Sequence, residues 1–275
     1  MLVRVHAAGV GIWDVGILSG QFDQALPSIP GCEVAGTVEV PAGAFSAGDP
    51  VFCPVWESLG GGFAEIAAAP VTAAASIPEG IGYAEAAGLV ISAGTAYQGM
   101  VDRGKVQAGE TVLVTAASGG VGTAAVQIAR SLGARVVAVA SARNHDYVRE
   151  LGADAAVDYH DSAFVEQLRS AALEGFDVLF DGTGNQVRDQ VLGLIRDGGR
   201  GIFIVGGTPP ARQGVEFQSF VAKTSASTLE AVAKLAASGK LRMPIEAEFP
   251  LERAREALEH VAAKHTVGGA ALRIG

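Results

Sequence analysis

The sequence predicts an α/β protein in two parts, a β-rich part and a doubly wound parallel sheet, and three observations carry that prediction. The 275 residues suffice for one large or two modest domains, each able to bury a core. Up to about Pro78 the chain is short strand-like runs broken by Gly and Pro, and from about Tyr83 strands alternate with amphipathic helices. The glycine-rich turn Ala117-Ser118-Gly119-Gly120-Val121-Gly122 then lies between a buried strand and a helix.

The β-rich part reads LVRVHAAG, EVAGTVEV, DPVFCPV and GGFAEIAAA. In the second part TVLVTA leads into the helical GTAAVQIARSLG, and RVVAVA into the helical HDYVREL. AAVDY, helical SAFVEQLRSAAL, FDVLFD, helical QVRDQVLGLIRD and RGIFIVGG follow. Short β-branched runs with little polar alternation, separated by helices, imply right-handed crossovers and a parallel sheet covered on both faces. A looser stretch, VEFQSFVAKTSAS, precedes the helices STLEAVAKLAASG and LERAREALEHVAAK and a last strand AALRI. The charges of Glu252, Arg253, Arg255 and Glu256 read as a solvated helix face.

Twenty-nine acidic against twenty basic residues leave a net charge of -9, with no Lys/Arg cluster, so nucleic acid is not an expected partner. No uninterrupted apolar span is long enough for a bilayer, so a membrane is not expected either, and the N-terminus reads as a strand rather than a signal peptide. Two cysteines, Cys32 and Cys53, make no disulfide framework; a reducing, cytoplasmic setting is expected.

The glycine turn is a dinucleotide fingerprint with Ala at its first glycine position. Gly119 would let the backbone approach a pyrophosphate, Gly122 would let the helix pack on the strand, and the helix N-terminus would offer free N–H groups to the anion. An NAD site usually ends the next strand with Asp or Glu on the ribose 2′-hydroxyl, whereas RVVAVA ends in Ser141-Ala142-Arg143-Asn144. A hydroxyl and a guanidinium suit a 2′-phosphate that a carboxylate would repel, so NADP(H) is the expected cofactor. The alternative is that Arg143 is only a solvated loop residue.

Taken with His6 to Val10 and Asp14, Gly31 to Gly36, Gly61 to Glu65, Thr95-Ala96-Tyr97, Ala116 to Gly122, Leu151 to Asp154 and Phe176 to Gly184, the chain resembles the medium-chain dehydrogenase/reductase superfamily. The likeness covers nearly the whole chain and is to the zinc-free, NADPH-dependent quinone oxidoreductase-like branch. It implies a GroES-like β domain from residues 1–93 and 225–275, a Rossmann NADP(H)-binding domain from 94–224, an active site in the cleft between them, and a homodimer. Family chains carry further strands before the segment that starts here at Leu2. A shortened β domain with an open edge or a partly exposed cleft is therefore expected.

Carried over position by position, Thr95 resembles the threonine near the nicotinamide, and Ser118, Gly119, Gly120, Val121 and Gly122 the pyrophosphate loop. Ser141, Arg143 and Asn144 match the 2′-phosphate pocket, and Tyr159 an aromatic at the adenosine end. Gly206 and Gly207 resemble the backbone bordering the nicotinamide, and Phe220 and Val221 a later cofactor-lining segment. Core packing is the alternative for Tyr159 and Phe220.

Zinc-dependent relatives use a Cys and a His where this chain has Gly11 and Cys32, and the five histidines, His6, His145, His160, His260 and His265, lack ligand spacing. No metal is expected. Hydride transfer then suits an electrophilic small molecule already electron-poor, a quinone or an α,β-unsaturated carbonyl compound. No Tyr-x-x-x-Lys or Ser-His-Asp set supplies acid–base chemistry. Tyr97 is a candidate proton donor, with aromatic packing as the alternative. Many relatives carry Asn at the position of Gly11, so substrate orientation here lacks that hydrogen bond. Two rivals stand beside the reductase: an NADPH-binding regulatory or structural protein with weak or no turnover, and an enoyl reductase of a biosynthetic assembly. Gly99 to Lys105 copies part of a phosphate-binding P-loop, but Val106 stands where Ser or Thr would reach magnesium, and it is read as chance.

Overall fold

A computed structural model describes residues 1–21, 27–55, 61–184, 186–263 and 266–275. The chain divides into two compact units, Met1–Gly94 with Lys223–Gly275, and Thr95–Ala222.

The first unit is organised around β1 (Leu2–Val10), whose Val3 and Val5 alternate inward before a run that is buried throughout. On one side β1 pairs antiparallel with β2 (Glu33–Val40), which pairs in turn with β3 (Pro50–Pro54), and β3 with β5 (Ala75–Ser76). On its other side Leu2 to Arg4 pair with β4 (Ile66–Ala68) and Ala7 to Val10 with β13 (Gly269–Arg273), which lies parallel to β12 (Ile245–Pro250). β1 is thus paired along both of its flanks, by β2 on one and by β4 and β13 on the other, so it is not itself an edge strand. A bulge between Val5 and Ala7 bends β1. Beside it the strands approach so closely that a Cβ on Gly36 would lie 2.0 Å from Arg4 O. Val3, Val5, Val34, Val38, Val51 and Leu272 form the core with Ala257 and Val261 of the helix Ala254–Ala262. The exposed pairs Arg253–Glu256 and Arg255–Glu259 make the solvated face that the sequence suggests.

The second unit holds an all-parallel sheet. It starts in the middle at β6 (Thr111–Val114) and steps outward through β7 (Arg135–Val139) to β8 (Ala155–Val157). The chain then returns to the other side of β6 as β9 (Phe176–Asp181), followed by β10 (Ile195–Phe203) and β11 (Glu216–Ser219). The order β11-β10-β9-β6-β7-β8 is the doubly wound arrangement, with its switch point between β6 and β9. Val112, Leu113 and Val114 are all fully buried although successive side chains point to opposite faces, so both faces of the sheet are covered. The connecting helices include α3 (Gly120–Ser131), α4 (His145–Glu150), α5 (Phe164–Ala171) and α6 (Gln186–Val191).

Three elements go beyond the sequence reading. α1 (Ile12–Leu18) lies in a segment read as strands; Gly11 caps it in an extended conformation and its N–H donates to Asp14 Oδ2 at 2.8 Å. β11 forms in the stretch read as loose, as a four-residue edge strand held by its ladder to β10. β12 is a half-buried strand paired with β13. Among the described residues no helix is long and apolar enough to cross a membrane.

Candidate dinucleotide site

Every residue the sequence assigns to the cofactor falls in the second unit, at or beyond the C-terminal ends of its strands or on the helix that leads into it. The loop after β6 turns on Ala116, which adopts a left-handed φ of 50° that costs a non-glycine residue energy. Gly119 N–H donates to Ala116 O at 3.1 Å, and Thr123 N–H to Gly119 O at 2.7 Å closes the first turn of α3. The amides of Gly120, Val121 and Gly122 precede that bond and have no partner within the helix. At Gly122 a Cβ would lie 2.1 Å from Ala116 O, so no larger residue fits between helix and strand. At Gly119 it would meet only Ala116 O, at 3.6 Å. The backbone at Gly119 is thus open outward, and a dinucleotide pyrophosphate fits this cradle of free amides.

The loop after β7 reaches back to it. Asn144 Nδ2 donates to Ser118 Oγ at 3.0 Å, fastening the two loops together. Ser141 Oγ donates to the Tyr159 hydroxyl at 3.3 Å, and the Tyr159 ring, 39% exposed, lies 4.0 Å from that of His160. Tyr159 is therefore a surface residue beside Ser141 rather than a core aromatic. The His160 backbone N–H, then its ring, bond Asp158 and hold that carboxyl below its usual range. Arg143 is exposed and pairs with no described residue, which leaves its charge available to an anion.

Beyond β9 and β10 two glycine loops meet. Gly206 and Gly207 have left-handed φ values of 73° and 70°, and a Cβ on Gly206 would lie 2.8 Å from Gly184 O. Arg188 Nη1 donates to Gly206 O at 3.1 Å. Phe220 is half-buried under the Arg103 guanidinium, 4.8 Å from its ring centre, and Val221 is 64% exposed. Thr95 is buried in the last turn of α2 (Tyr83–Tyr97). Tyr97 ends that helix half-buried, with no hydrogen bond from its hydroxyl among the described residues. α2 runs on into a π-helical turn, Gln98–Arg103, which accounts for the P-loop-like residues without a phosphate loop.

The sequence reading missed Asp181. It closes β9 with no exposed surface, and its Oδ1 accepts from Thr115 Oγ1 at 2.5 Å and Thr183 Oγ1 at 2.6 Å. Its Oδ2 accepts from Gly184 N–H at 2.9 Å. The visible signal was an acid ending an otherwise apolar strand, FDVLFD.

In the first unit the positions compared with zinc ligands hold Gly11 and Cys32. Burial pushes the Asp14 carboxyl upward, and the Gly11 N–H on its Oδ2 works against that rise. Burial and the neighbouring Asp14 also push the Cys32 thiol up. Glu33 accepts the Ile91 N–H at 2.6 Å and fills the space over Gly9, where a Cβ would lie 2.1 Å from Glu33 Oε1. Among the described residues no three His, Cys, Asp or Glu side chains are grouped to hold a metal ion, and His265 lies outside those residues.

Residues 1–79 match the family described as Alcohol dehydrogenase GroES-like domain, and residues 120–233 the family described as Zinc-binding dehydrogenase. The chain is 32% identical to the Homo sapiens protein named Quinone oxidoreductase over 281 residues, 95% of this chain and 84% of that one. It is 31% identical to the Arabidopsis thaliana NADPH-dependent alkenal/one oxidoreductase, chloroplastic, over 98% of this chain and 70% of that one. Among solved structures it is similar to the quinone oxidoreductase from Coxiella burnetii, with a TM-score of 0.90 and 25% identity over 100% of this chain and 90% of that one. A mycobacterial protein solved in complex with NADPH gives a TM-score of 0.88 and 27% identity, over 99% of this chain and 90% of the other.

Proposed function

Because the chain belongs to the medium-chain dehydrogenase/reductase superfamily, in its quinone oxidoreductase-like branch, we propose that it reduces quinones or α,β-unsaturated carbonyl compounds with NADPH and without a metal. The observation that carries this reading is the pair of loops joined by Asn144 and Ser118, which combines an open pyrophosphate cradle with an unpaired Arg143. Arg143 and Ser141 would take the 2′-phosphate, the amides at the start of α3 the pyrophosphate, and the backbone at Gly206 and Gly207 the edge of the nicotinamide. The relatives named for quinones and for alkenals and alkenones support an electron-poor acceptor.

When bound, NADPH supplies a hydride. The residues here bind and orient, and the absence of an acid–base relay in the sequence suits an acceptor whose incoming charge spreads onto its own carbonyl oxygen. Tyr97, with its hydroxyl unengaged, or water would supply the proton that this oxygen takes up. Fluorescence titration with NADPH, followed by NADPH oxidation with benzoquinones, 2-alkenals and carrier-bound enoyl thioesters, tests the reading. Saturable binding with turnover on a quinone or free enone is expected. Binding without turnover would favour a regulatory role, and turnover confined to the thioesters an assembly-bound enoyl reductase; either result overturns the proposal.

A further inference from the structure

We propose that Asp181 sets the redox balance of the bound dinucleotide, its buried negative charge favouring the oxidised cofactor over the reduced one and so making the reduced cofactor a stronger hydride donor. The inference rests on the reading that the backbone at Gly206 and Gly207, against which Gly184 packs, borders the nicotinamide.

Asp181 is fully buried, and no Lys, Arg or His pairs with it among the described residues. Its three donors are two hydroxyls and one amide, with O–H···O distances of 2.5 and 2.6 Å in the short range of bonds to a charged oxygen. A buried charge without a counterion is costly, and the fold does not demand one here. An amide oxygen at the same place could accept both hydroxyls, leaving only Gly184 N–H to find another partner.

The position explains what the charge can act on. Gly184, whose N–H Asp181 holds, packs against Gly206, and Ile204 N–H donates to Asp181 O at 3.1 Å. Thr115, the first donor, leads directly into the strained Ala116 of the phosphate loop. One carboxylate therefore sits beneath three loops of the site. Arg188, which donates to Gly206 O, is paired with Asp189 at 2.9 Å rather than with Asp181.

Loss of a hydride, one proton with two electrons, turns a neutral dihydronicotinamide into a ring with one positive charge, while the acceptor gains the hydride. A fixed negative charge in a water-excluded setting favours the cationic ring over the neutral one. A purely structural role would affect both forms alike.

The test is the dissociation constants of NADP+ and NADPH, measured by calorimetry on the intact protein and on Asp181→Asn. The ratio Kd(NADP+)/Kd(NADPH) is expected to rise roughly tenfold in the variant. A ratio unchanged while both forms still bind overturns this inference alone; failure of the unaltered protein to bind either form overturns the cofactor reading with it. Thr183→Val removes a donor and keeps the charge, so it should weaken both forms with a ratio that stays within about twofold or moves toward NADP+. A shift toward NADPH in that variant overturns the inference even if Asp181→Asn fails to fold.

Discussion

Glu33 shows how burial at a single residue becomes a property of the protein. Burial raises its carboxyl pKa from the usual 4.5 to about 8; the Ile91 N–H works against the rise and the Asp14 charge adds to it. A carboxyl raised on folding contributes stability that is complete below about pH 4.5 and is lost as pH climbs through about 8. Asp14, raised in the same direction, adds to the trend. The melting temperature should therefore fall between pH 5 and pH 8.5, and Glu33→Gln, which keeps an acceptor for Ile91, should flatten much of that fall. Identical pH profiles for the two proteins would contradict the assignment. At the other end of the site, Ser141→Asp places a carboxylate beside the proposed 2′-phosphate. It should lower kcat/KM for NADPH about tenfold and shift preference toward NADH in steady-state kinetics. An unchanged preference would remove Ser141 from the pocket.

Among the elements, the junction of the β6 loop with α3 leaves no room for a side chain at Gly122. Gly122→Ala would set a methyl group 2.1 Å from Ala116 O and force the helix off the strand. About 3 kcal/mol of stability should be lost, read by urea unfolding, together with NADPH binding. Gly119→Ala is the contrast, with a methyl in ordinary contact with Ala116 O at 3.6 Å; it should leave stability nearly unchanged and impair binding alone. This junction was legible in the sequence because strand, turn and helix are consecutive and their residue types are local requirements. The pairing of Asn144 with Ser118 was not legible as a bond, though both residues were singled out. Asp181 escaped altogether, since its partner Thr115 is 66 residues away and no local periodicity records a contact between two strands brought together only by the sheet. α1 escaped for a different reason. Its seven residues start from a glycine cap and an acid that reaches back to it, a signal too short to outweigh the surrounding strand pattern.

For the whole molecule, the features converge on a division of labour. The unit Thr95–Ala222 carries all the residues assigned to the dinucleotide. In the β-rich unit the positions compared with zinc ligands in the sequence reading hold Gly11 and Cys32, and Asp14 and Glu33 are closed into the interior. A chain of this kind is expected to work by holding a hydride donor against an acceptor that needs no Lewis acid. That claim is tested most directly by incubating the protein with NADPH carrying deuterium at both C4 positions, an α,β-unsaturated ketone and a strong zinc chelator, and locating the label in the product by mass spectrometry and NMR. The account predicts one deuterium at the β-carbon, delivered at a rate the chelator does not change. Unlabelled product, deuterium at the carbonyl carbon, or transfer abolished by the chelator would contradict it.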